Sequence, residues 1–463
     1  GDGGIEQYNL FSGDDTFTVA PNGAQVGGSQ NVNFGGGTDI AVFGNGTFSG
    51  TMTGIGAGDT TKFVGNADIK GVNVGASFTD KVDFNDQSVS VTMTATQYNG
   101  YAPQPFGKTG NTQTITLFSA LAATIIGDVG IENFFLTGGV NYDFTVAKDN
   151  LQLVGGKQNV SFAGGGAADI VRFNDGTYSG NITGLAAGDT AIFVGGAGVN
   201  TDIKGVNTGG ALGGAKADFN NSAVTATMTV AQHQGFLGAG NPFSNTAGVQ
   251  TIKLSDSGVA TGSDGIENYI LANGNDIFTV AKDNGAFKQN VDLSSGGTDI
   301  INYGFGKFTG NLIGGGADDT VQFTGGTTDV SGVNGGLAMS PKIVSFSNTD
   351  VDVSMTLVQH NDFVKDFLNT GGVGKVQTIT LTTDGTTTGD KGIEFYVLGQ
   401  DGADSNKFTI GAPGQNVQGR NDDDIVINPY GGLTGILLGG NHHGNGDTLI
   451  LQAANTDIKA GSG

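Results

Sequence analysis

Short runs of alternating apolar and polar residues recur along the whole chain and predict β-strands. Runs such as DTFTV, DIAVF, TKFV, VSVTMTAT and TITL are rich in Val, Ile, Thr and Phe and are bounded by Gly, Asn and Asp. In Thr-Met-Thr and Phe-Thr-Val, alternation turns one side of the strand inward. The apolar stretch at 116–128 has polar counterparts further along the chain and is interpreted as a variable loop. The pattern therefore predicts very little helix.

The same landmarks recur in the same order, which indicates tandem repeats. The stretches GDGGIEQY, GDVGIENF, GSDGIENY and GDKGIEFY each precede an FTVA-like run, an Asp-Ile, a Gly-rich Asp-Thr and a TDIKGVN-like run. We predict repeat units at 1–126, 127–261 and 262–388, and a partial repeat unit at 389–463. Because the fourth copy stops partway through its unit, we expect the chain to be a piece of a longer array.

Strands joined by Gly, Asp and Asn turns at this spacing fit either a stacked solenoid or a string of β-sandwich domains. Gly-Asp-Thr and Gly-Thr-Asp-Ile recur within each repeat as well as between repeats, as stacked corners require. No Pro- or Ser-rich linker separates the repeats. We predict an all-β, tandem-repeat parallel β-solenoid of the β-helix or β-roll type, with β-sandwich domains as the alternative.

Composition and charge narrow the class of protein further. Glycine contributes 85 of 463 residues without a Gly-X-Y period, which suits a chain that turns often. The formal charge of −23 argues against nucleic acid as a partner, because phosphate binding requires cationic side chains. Cysteine is absent, which excludes disulfides and thiolate metal sites. No apolar run of about 18 residues occurs, so no membrane span is predicted.

Aspartates in the Gly-rich turns are candidate cation ligands. Carboxylate oxygens are hard ligands that select Ca²⁺ over transition metals, so calcium is the expected cofactor. The alternative for each residue is that its carboxylate caps the turn by accepting backbone N–H groups. The candidates are the repeated turn aspartates, the adjacent pairs and one triplet: Asp14, Asp15, Asp39, Asp59, Asp169, Asp189, Asp276, Asp299, Asp318, Asp319, Asp422, Asp423, Asp424 and Asp447.

Glutamate occurs at only four positions, Glu6, Glu132, Glu267 and Glu394, each in a Gly-Ile-Glu motif. Catalysis, cation binding and structural fastening are the possible roles. An enzyme normally breaks its repeat at one place to build a site, whereas this group is copied in every repeat. We predict that each glutamate is a repeat joint that accepts backbone N–H bonds from a neighbouring turn. Strand alternation would place Ile and Glu on opposite faces.

The positions of the histidines give little support to a catalytic site. His233 and His360 occupy the repeat position of Tyr98 and are interpreted as half-buried polar aromatic residues. His442 and His443 form a pair without a third ligand at an obvious spacing. No catalytic residue is predicted, and the chain is not expected to be an enzyme.

The Gly-Ile-Glu-Asn-aromatic stretch, together with the GTDI, GDT and NDIFTV turns, resembles large secreted bacterial proteins of the RTX-like, S-layer and adhesin type. The resemblance covers short motifs in all four copies. It implies an extracellular location at the bacterial cell surface, type I secretion and calcium-dependent folding or assembly.

We therefore expect an extracellular structural protein that forms a surface layer, filament or adhesin stalk as a homo-oligomer, by calcium-assisted self-assembly. The alternative is a glycan-binding adhesin or phage-fibre module with cell-surface glycan as its partner. That alternative predicts exposed aromatic side chains on one face, at Tyr98, Tyr101, Phe236 and Phe363. A polysaccharide lyase or epimerase is a third possibility and predicts a carboxylate and Lys pair present in one copy only.

Overall fold

The fold was analysed in a computed structural model. It describes residues 1–463 except 3, 24–27, 74–77, 79, 86, 102–109, 163, 165, 167, 197, 220–222, 238–247, 285–286, 340, 342, 348, 364–367, 370–374, 400–405, 421–422, 432–434, 441–445 and 454–463. Its internal contacts divide the chain into two compact units, Gly1–Gly248 and Val249–Gly463. The boundaries of the four repeats stay a prediction. No helix among the described residues is long and apolar enough to cross a membrane.

The described residues of the first unit form short strands and two short helices. Its strands are Gln7–Asn9 (β1), Thr16–Thr18 (β2), Asn31–Asn33 (β3), Ile40–Phe43 (β4), Gly46–Gly50 (β5), Met52–Thr53 (β6), Thr60–Phe63 (β7), Ala67–Val72 (β8), Lys81–Asp83 (β9), Ser90–Thr94 (β10), Thr114–Phe118 (β11), Ala123–Ile126 (β12), Asn133–Thr137 (β13), Tyr142–Thr145 (β14), Asn159–Ser161 (β15), Ile170–Phe173 (β16), Gly176–Thr177 (β17), Ile182–Thr183 (β18), Thr190–Phe193 (β19), Asn200–Asp202 (β20), Lys216–Asp218 (β21) and Val224–Met228 (β22). Its helices are Ala95–Tyr101 (α1) and Val230–Leu237 (α2), with 3₁₀ turns at Val154–Gly156 and Val206–Gly209.

The second unit has the same character. Its strands are Gln250–Leu254 (β23), Val259–Thr261 (β24), Asn268–Ile270 (β25), Ile277–Thr279 (β26), Asn290–Asp292 (β27), Ile300–Tyr303 (β28), Gly306–Lys307 (β29), Leu312–Ile313 (β30), Thr320–Phe323 (β31), Gly326–Asp329 (β32), Ile343–Phe346 (β33), Val351–Met355 (β34), Leu368–Asn369 (β35), Gln377–Leu381 (β36), Thr386–Thr388 (β37), Phe395–Val397 (β38), Lys407–Thr409 (β39), Asn416–Gln418 (β40), Ile425–Asn428 (β41), Leu437–Leu438 (β42) and Thr448–Leu451 (β43). Its described part also contains one helix, Leu357–Asp362 (α3), and a 3₁₀ turn at Val333–Gly336.

The strands stack coil upon coil, and the pairings between these strands are parallel. In the first unit β3, β4 and β5 enter three different sheets, and the next coil adds β6, β7 and β8 to the same three sheets. The register is in line: Thr60 lies beside Ile40 on one side and Lys81 on the other. This is a parallel β-solenoid, as predicted. The β-sandwich alternative is wrong, because a sandwich is built from antiparallel sheets.

The Gly-Ile-Glu stretch changes sheet from one repeat to the next. In the first repeat it leads into β1, which pairs with β3. In the second repeat it leads into β13, which joins the sheet holding β5, β8, β10 and β11. The second unit repeats this arrangement, with β38 in the sheet of β29, β32, β34 and β36. Within each unit, the equivalent strands of the two successive repeats therefore lie in different sheets.

Aromatic side chains fill the interior in columns. Phe63 stacks on Phe43 at a centroid distance of 5.8 Å and lies 5.6 Å from Phe84, so that three successive coils share one column. All three side chains are fully buried. The later repeats have the same column at Phe173, Phe193 and Phe219, and at Tyr303, Phe323 and Phe346. The alternation read from the sequence produces this column, because every second residue of a strand points inward.

Two sequence expectations about local structure are wrong. The stretch at 116–128 is not a loop throughout, since β11 and β12 occupy much of it. The VSVTMTAT strand ends at Thr94, where α1 begins. The reason is a capping box: Thr94 Oγ1 accepts the N–H of Gln97 at 3.0 Å, and Gln97 Oε1 accepts the N–H of Thr94 at 2.8 Å. Thr-x-x-Gln recurs before α2 and α3.

Candidate functional site

The turn aspartates form columns, with a carboxylate at the residue before a strand in successive coils. In the first repeat Asp15, Asp39 and Asp59 precede β2, β4 and β7. Asp39 Oδ1 accepts the backbone N–H of Asp15 at 2.8 Å, and Asp59 Oδ1 accepts that of Asp39 at 2.8 Å. Each of these two carboxylates therefore links its own coil to the coil before it.

The same link recurs along the chain. At the end of a column the second oxygen accepts an N–H from its own turn, as Asp59 Oδ2 does from Gly56 at 2.6 Å. These contacts are the turn capping that the sequence left as an alternative to metal binding. The further links, written as N–H donor and then acceptor, are Asp169 and Asp189, Asp276 and Asp299, Asp299 and Asp319, and Asp424 and Asp447.

The remaining aspartate candidates lie closer to solvent. Asp14 is exposed and its Oδ1 accepts the N–H of Thr38 at 2.7 Å. Asp423 Oδ1 accepts the N–H of Gly446 at 2.9 Å. Asp318 is exposed, and Asp422 lies outside the described residues.

Two successive column members in the third repeat carry an unused oxygen. The Oδ2 atoms of Asp276 and Asp299 are buried and have no hydrogen-bond partner among the described residues. Burial raises the pKa of Asp299 to about 6, and the carboxylates of Asp319 and Asp276 raise it further. Burial also raises the pKa of Asp276. Neighbouring buried carboxylates repel when both are ionised, so this position favours a bound proton or a bound cation.

A calcium ion at such a column would need additional ligands. Within the part of the chain that the structure describes, no group of three or more His, Asp or Glu side chains converges on one point. Ca²⁺ takes about six to eight oxygen ligands, so backbone carbonyls or water would supply most of them. Calcium binding stays a prediction.

The Gly-Ile-Glu carboxylates contact the coil before them. Glu132 is buried, and its Oε2 accepts the backbone N–H of Gln113 at 2.7 Å while its Oε1 accepts that of Val154 at 2.8 Å. Both Glu267 and Glu394 make the equivalent contact, accepting the N–H groups of Gln250 and Gln377 at 2.8 and 2.9 Å. These three glutamates thus make contacts that cross the predicted repeat boundaries. In the first copy the carbonyl oxygen of Glu6 accepts the N–H of Asn31. The joint role stays a prediction.

The two-residue alternation does not hold at the Gly-Ile-Glu stretch. Ile131, Glu132 and Phe134 are all buried, so Ile and Glu are not on opposite faces of a strand. Ile131 lies in a turn, where its N–H donates to the carbonyl of Asp128 at 3.2 Å, and β13 begins only at Asn133. Strand periodicity therefore does not apply until after the glutamate.

Buried glutamine side chains hold these turns by hydrogen bonds to the backbone. These glutamines were not predicted from the sequence. Gln158 Oε1 accepts the N–H of Ala147 at 2.9 Å, and its Nε2 donates to the carbonyls of Asp128 and Ile131, both at 2.9 Å. A single side chain thus satisfies three buried backbone groups. Equivalent clamps are made by Gln30, Gln289 and Gln415 on the other Gly-Ile-Glu turns, and by Gln97, Gln232 and Gln359 on the turns one coil before each helix.

A repeated glycine leaves room for the clamp. A Cβ at Gly180 would lie 1.7 Å from the carbonyl oxygen of Gln158, a distance that no side chain can occupy. Gly50, Gly310 and Gly435 face Gln30, Gln289 and Gln415 in the same way. The recurring Gln-Asn before a strand and the Gly about twenty residues later were the available sequence signals.

The two repeated histidines are fully buried, and the half-buried interpretation is wrong. His233 and His360 are 0% and 4% exposed, and burial lowers the pKa of each to about 4. His360 Nε2 lies 3.2 Å from the hydroxyl of Tyr396, and its Nδ1 lies 3.1 Å from Thr387 Oγ1. His442 and His443 lie outside the described residues.

The aromatic residues expected to face a glycan belong to the core. Tyr98, Tyr101, Phe236 and Phe363 are 2%, 2%, 1% and 6% exposed. The Tyr98 hydroxyl donates to the carbonyl of Ile126 at 2.8 Å, which satisfies it inside the protein. These side chains lie on a short helix, or directly after it, and the helical turn directs them inward.

Two open grooves flank helices α1 and α3. The groove beside α1 has a volume of about 470 Å³ and is lined by Thr94–Thr96, Asn99 and 118–124. The groove beside α3 has a volume of about 510 Å³ and is lined by His360, Asn361, Phe363 and 386–390. Both grooves are lined by polar and apolar groups in similar proportion.

Comparison with known proteins gives no relative. No protein-family model, no curated protein and no solved structure matches this chain.

Proposed function

We propose that the chain is an extracellular structural protein of a bacterial cell surface, which self-assembles with calcium into a surface layer, filament or stalk. The observation that carries the proposal is the coil-to-coil carboxylate link of the aspartate columns, as between Asp276 and Asp299. This repeated contact holds successive coils together.

The negative charge of these columns is the reason to propose calcium as the bound cation. The chain carries a net charge of −23, and Asp276 and Asp299 place in adjacent coils buried oxygens that have no hydrogen-bond partner among the described residues. A divalent cation reduces the repulsion within a column and between acidic molecules, and it stabilises whichever state binds it. Self-assembly then becomes less unfavourable when calcium is present.

The test is a calcium titration of the purified protein followed by chelation. We expect calcium to raise both the melting temperature and the particle size measured by light scattering, and EGTA to reverse both changes. Magnesium serves as the ion control, because its smaller octahedral shell fits such flexible oxygen sites less well. A melting temperature and a particle size that are both indifferent to calcium would contradict the proposal.

A matched variant locates the effect. Asn406 occupies the column position before β39, and its Oδ1 accepts the N–H of Gly385 at 3.2 Å. The substitution Asp299→Asn copies this arrangement, since it keeps the acceptor for Asp276 and removes the charge. We expect Asp299→Asn to fold and to show a smaller rise in melting temperature with calcium than the unchanged chain.

A further inference from the structure

An apolar surface interrupts the exterior of the first unit. Phe118, Leu121, Ile126 and Phe135 are 40%, 79%, 68% and 45% exposed. Phe118 ends β11 and Phe135 lies on the adjacent strand β13, two register positions apart on the outer side of one sheet. Leu121 lies in the loop after β11, and Ile126 ends β12, which belongs to the next sheet along the coil. We call these four residues the 118–135 surface.

The surface is held in place before any partner binds. Ser119 Oγ donates to the carbonyl of Leu121 at 2.6 Å, which fixes the loop. Asn99 Nδ2 donates to the carbonyl of Thr124 at 3.0 Å and ties β12 to α1 across the 470 Å³ groove. Phe118 and Leu121 line this groove. A preorganised apolar surface loses little conformational entropy on binding.

The surface lies in a weakly charged part of the chain. Between Ser88 and Gly127 the only charged residue is Lys108, although charged residues make up 14% of the sequence. Lys70 approaches from the side, with Nζ 5.5 Å from the centre of the Phe118 ring and 3.5 Å from Asp68. Two molecules of charge −23 repel over most of their surfaces. The carboxylates on the neighbouring strands, Asp68 on β8 and Asp143 on β14, are paired with Lys70 and Arg172, so two copies can approach here with less repulsion.

The other repeats show that the coil does not require an apolar residue at the positions of Phe118 and Ile126. Phe118 follows a TITL strand at the position where later repeats have Ser255 and Thr382. Ile126 corresponds to Thr261 and Thr388, counted back from the Gly-Asp or Gly-Ser before each Gly-Ile-Glu. Exposed apolar clusters without a packing reason mark interaction sites.

We propose that the 118–135 surface docks against the same surface of a second copy of this chain, as a two-fold symmetric contact. The proposal rests on the self-assembly proposed above and names one contact of it. A second copy is the occupant that the charge favours, because a neutral patch is where strongly acidic molecules can meet. The four side chains expose on the order of 400 Å², about half of a standard interface side, so the dimer is weak and concentration-dependent.

The test compares the unchanged chain with the double variant Phe118→Ser and Ile126→Thr in calcium-free buffer. Sedimentation velocity over a range of concentrations should show a monomer–dimer equilibrium for the unchanged chain. The double variant, whose replacements occur naturally in the other repeats, should raise the dissociation constant roughly tenfold or more with its melting temperature unchanged. Leu121→Ser, in an exposed loop, gives an independent measure if the double variant is destabilised.

The matched control is Val259→Thr, which removes an exposed apolar side chain from the second unit and should leave the dissociation constant unchanged. An unchanged chain that stays monomeric, or variants that dimerise like it, would overturn the proposal. This result can be distinguished from that of the calcium test. If the chain dimerises but does not assemble when calcium is added, the contact is supported and the proposed function is contradicted. Assembly with calcium in the double variant supports the function and shows that this surface is not its contact.

Discussion

The carboxylate of Glu132 accepts the backbone N–H of Gln113 at 2.7 Å, across the boundary predicted between the first two repeats. Its second oxygen accepts an N–H from Val154, so one side chain connects the coil before it with the turn after it. Both acceptors are needed, because a buried N–H that loses its partner keeps its desolvation cost.

Glu132→Gln should therefore destabilise the protein. The amide offers one acceptor oxygen where two N–H groups converge, and its NH₂ then faces a donor. We expect the free energy of unfolding to fall by about 1.5–3 kcal/mol, measured by urea denaturation. Glu267→Gln is the control with a smaller expected loss, since one N–H contact, from Gln250, is found among the described residues and the side chain is less buried. Unchanged stability of Glu132→Gln would argue against the joint role.

The buried pair of Asp80 and Thr61 should make the first repeat sensitive to pH. Asp80 Oδ2 accepts the Thr61 hydroxyl at 2.5 Å, and its Oδ1 has no partner among the described residues. Burial raises the pKa of Asp80 from its ordinary 3.8 to about 6. The stabilising contribution of the protonated form is therefore complete below about pH 4 and is lost as the pH rises through 6.

The second repeat has Ala191 and Ala215 at these two positions, which provides a matched replacement. The double variant Thr61→Ala and Asp80→Ala should gain about 3 kcal/mol relative to the unchanged chain between pH 4 and pH 8, measured by urea denaturation. If the free energy of unfolding of the two proteins changes with pH in parallel, ionisation of Asp80 does not reduce stability and the prediction is wrong.

Gln158→Leu should be among the most damaging substitutions of a neutral residue. It leaves the N–H of Ala147 and the carbonyls of Asp128 and Ile131 without their partner in a buried turn. Each unsatisfied buried group costs about 1–3 kcal/mol, so we expect a loss of at least about 3 kcal/mol in urea denaturation. Gln152→Leu, at an exposed position nearby, is the control and should have little effect. A small loss for Gln158→Leu would mean that water replaces the clamp.

The buried histidines should make the protein sensitive to acid. Burial lowers the pKa of His360 from 6.5 to about 4, so the stability that its neutral form contributes is present above pH 6.5 and is lost as the pH falls toward 4. His360→Tyr, which copies Tyr98 of the first repeat, should remove about 3 kcal/mol of this acid-induced loss. The measurement is urea denaturation at pH 7 and pH 4, with His233→Tyr as a second case. If the variants and the unchanged chain lose the same free energy of unfolding between pH 7 and pH 4, the prediction is wrong.

The sequence by itself favoured the solenoid over the β-sandwich alternative and determined the rows of equivalent residues. Short alternating runs separated by Gly/Asp turns recur in the same order along the chain. When such coils stack, equivalent residues lie above one another, and this produces the columns through Phe63 and through Asp39. Local rules also contained α1, since Thr94 and Gln97 form a recognisable capping box, although the strand pattern before it hid the signal.

Only the tertiary structure decided what the polar side chains do. Glu132, Asp299 and Gln158 find their partners in other coils or turns, between 11 and 30 residues away, and no local sequence pattern predicts which backbone group lies there. The inward direction of Tyr98 and the outward direction of Phe118 were also decided by packing: both are aromatic residues next to a strand, and one follows a helix into the core while the other ends on a solvent-facing sheet. The sequence pattern determines which residues alternate between the two faces of a strand. The stacking of coils determines which face is exposed to solvent.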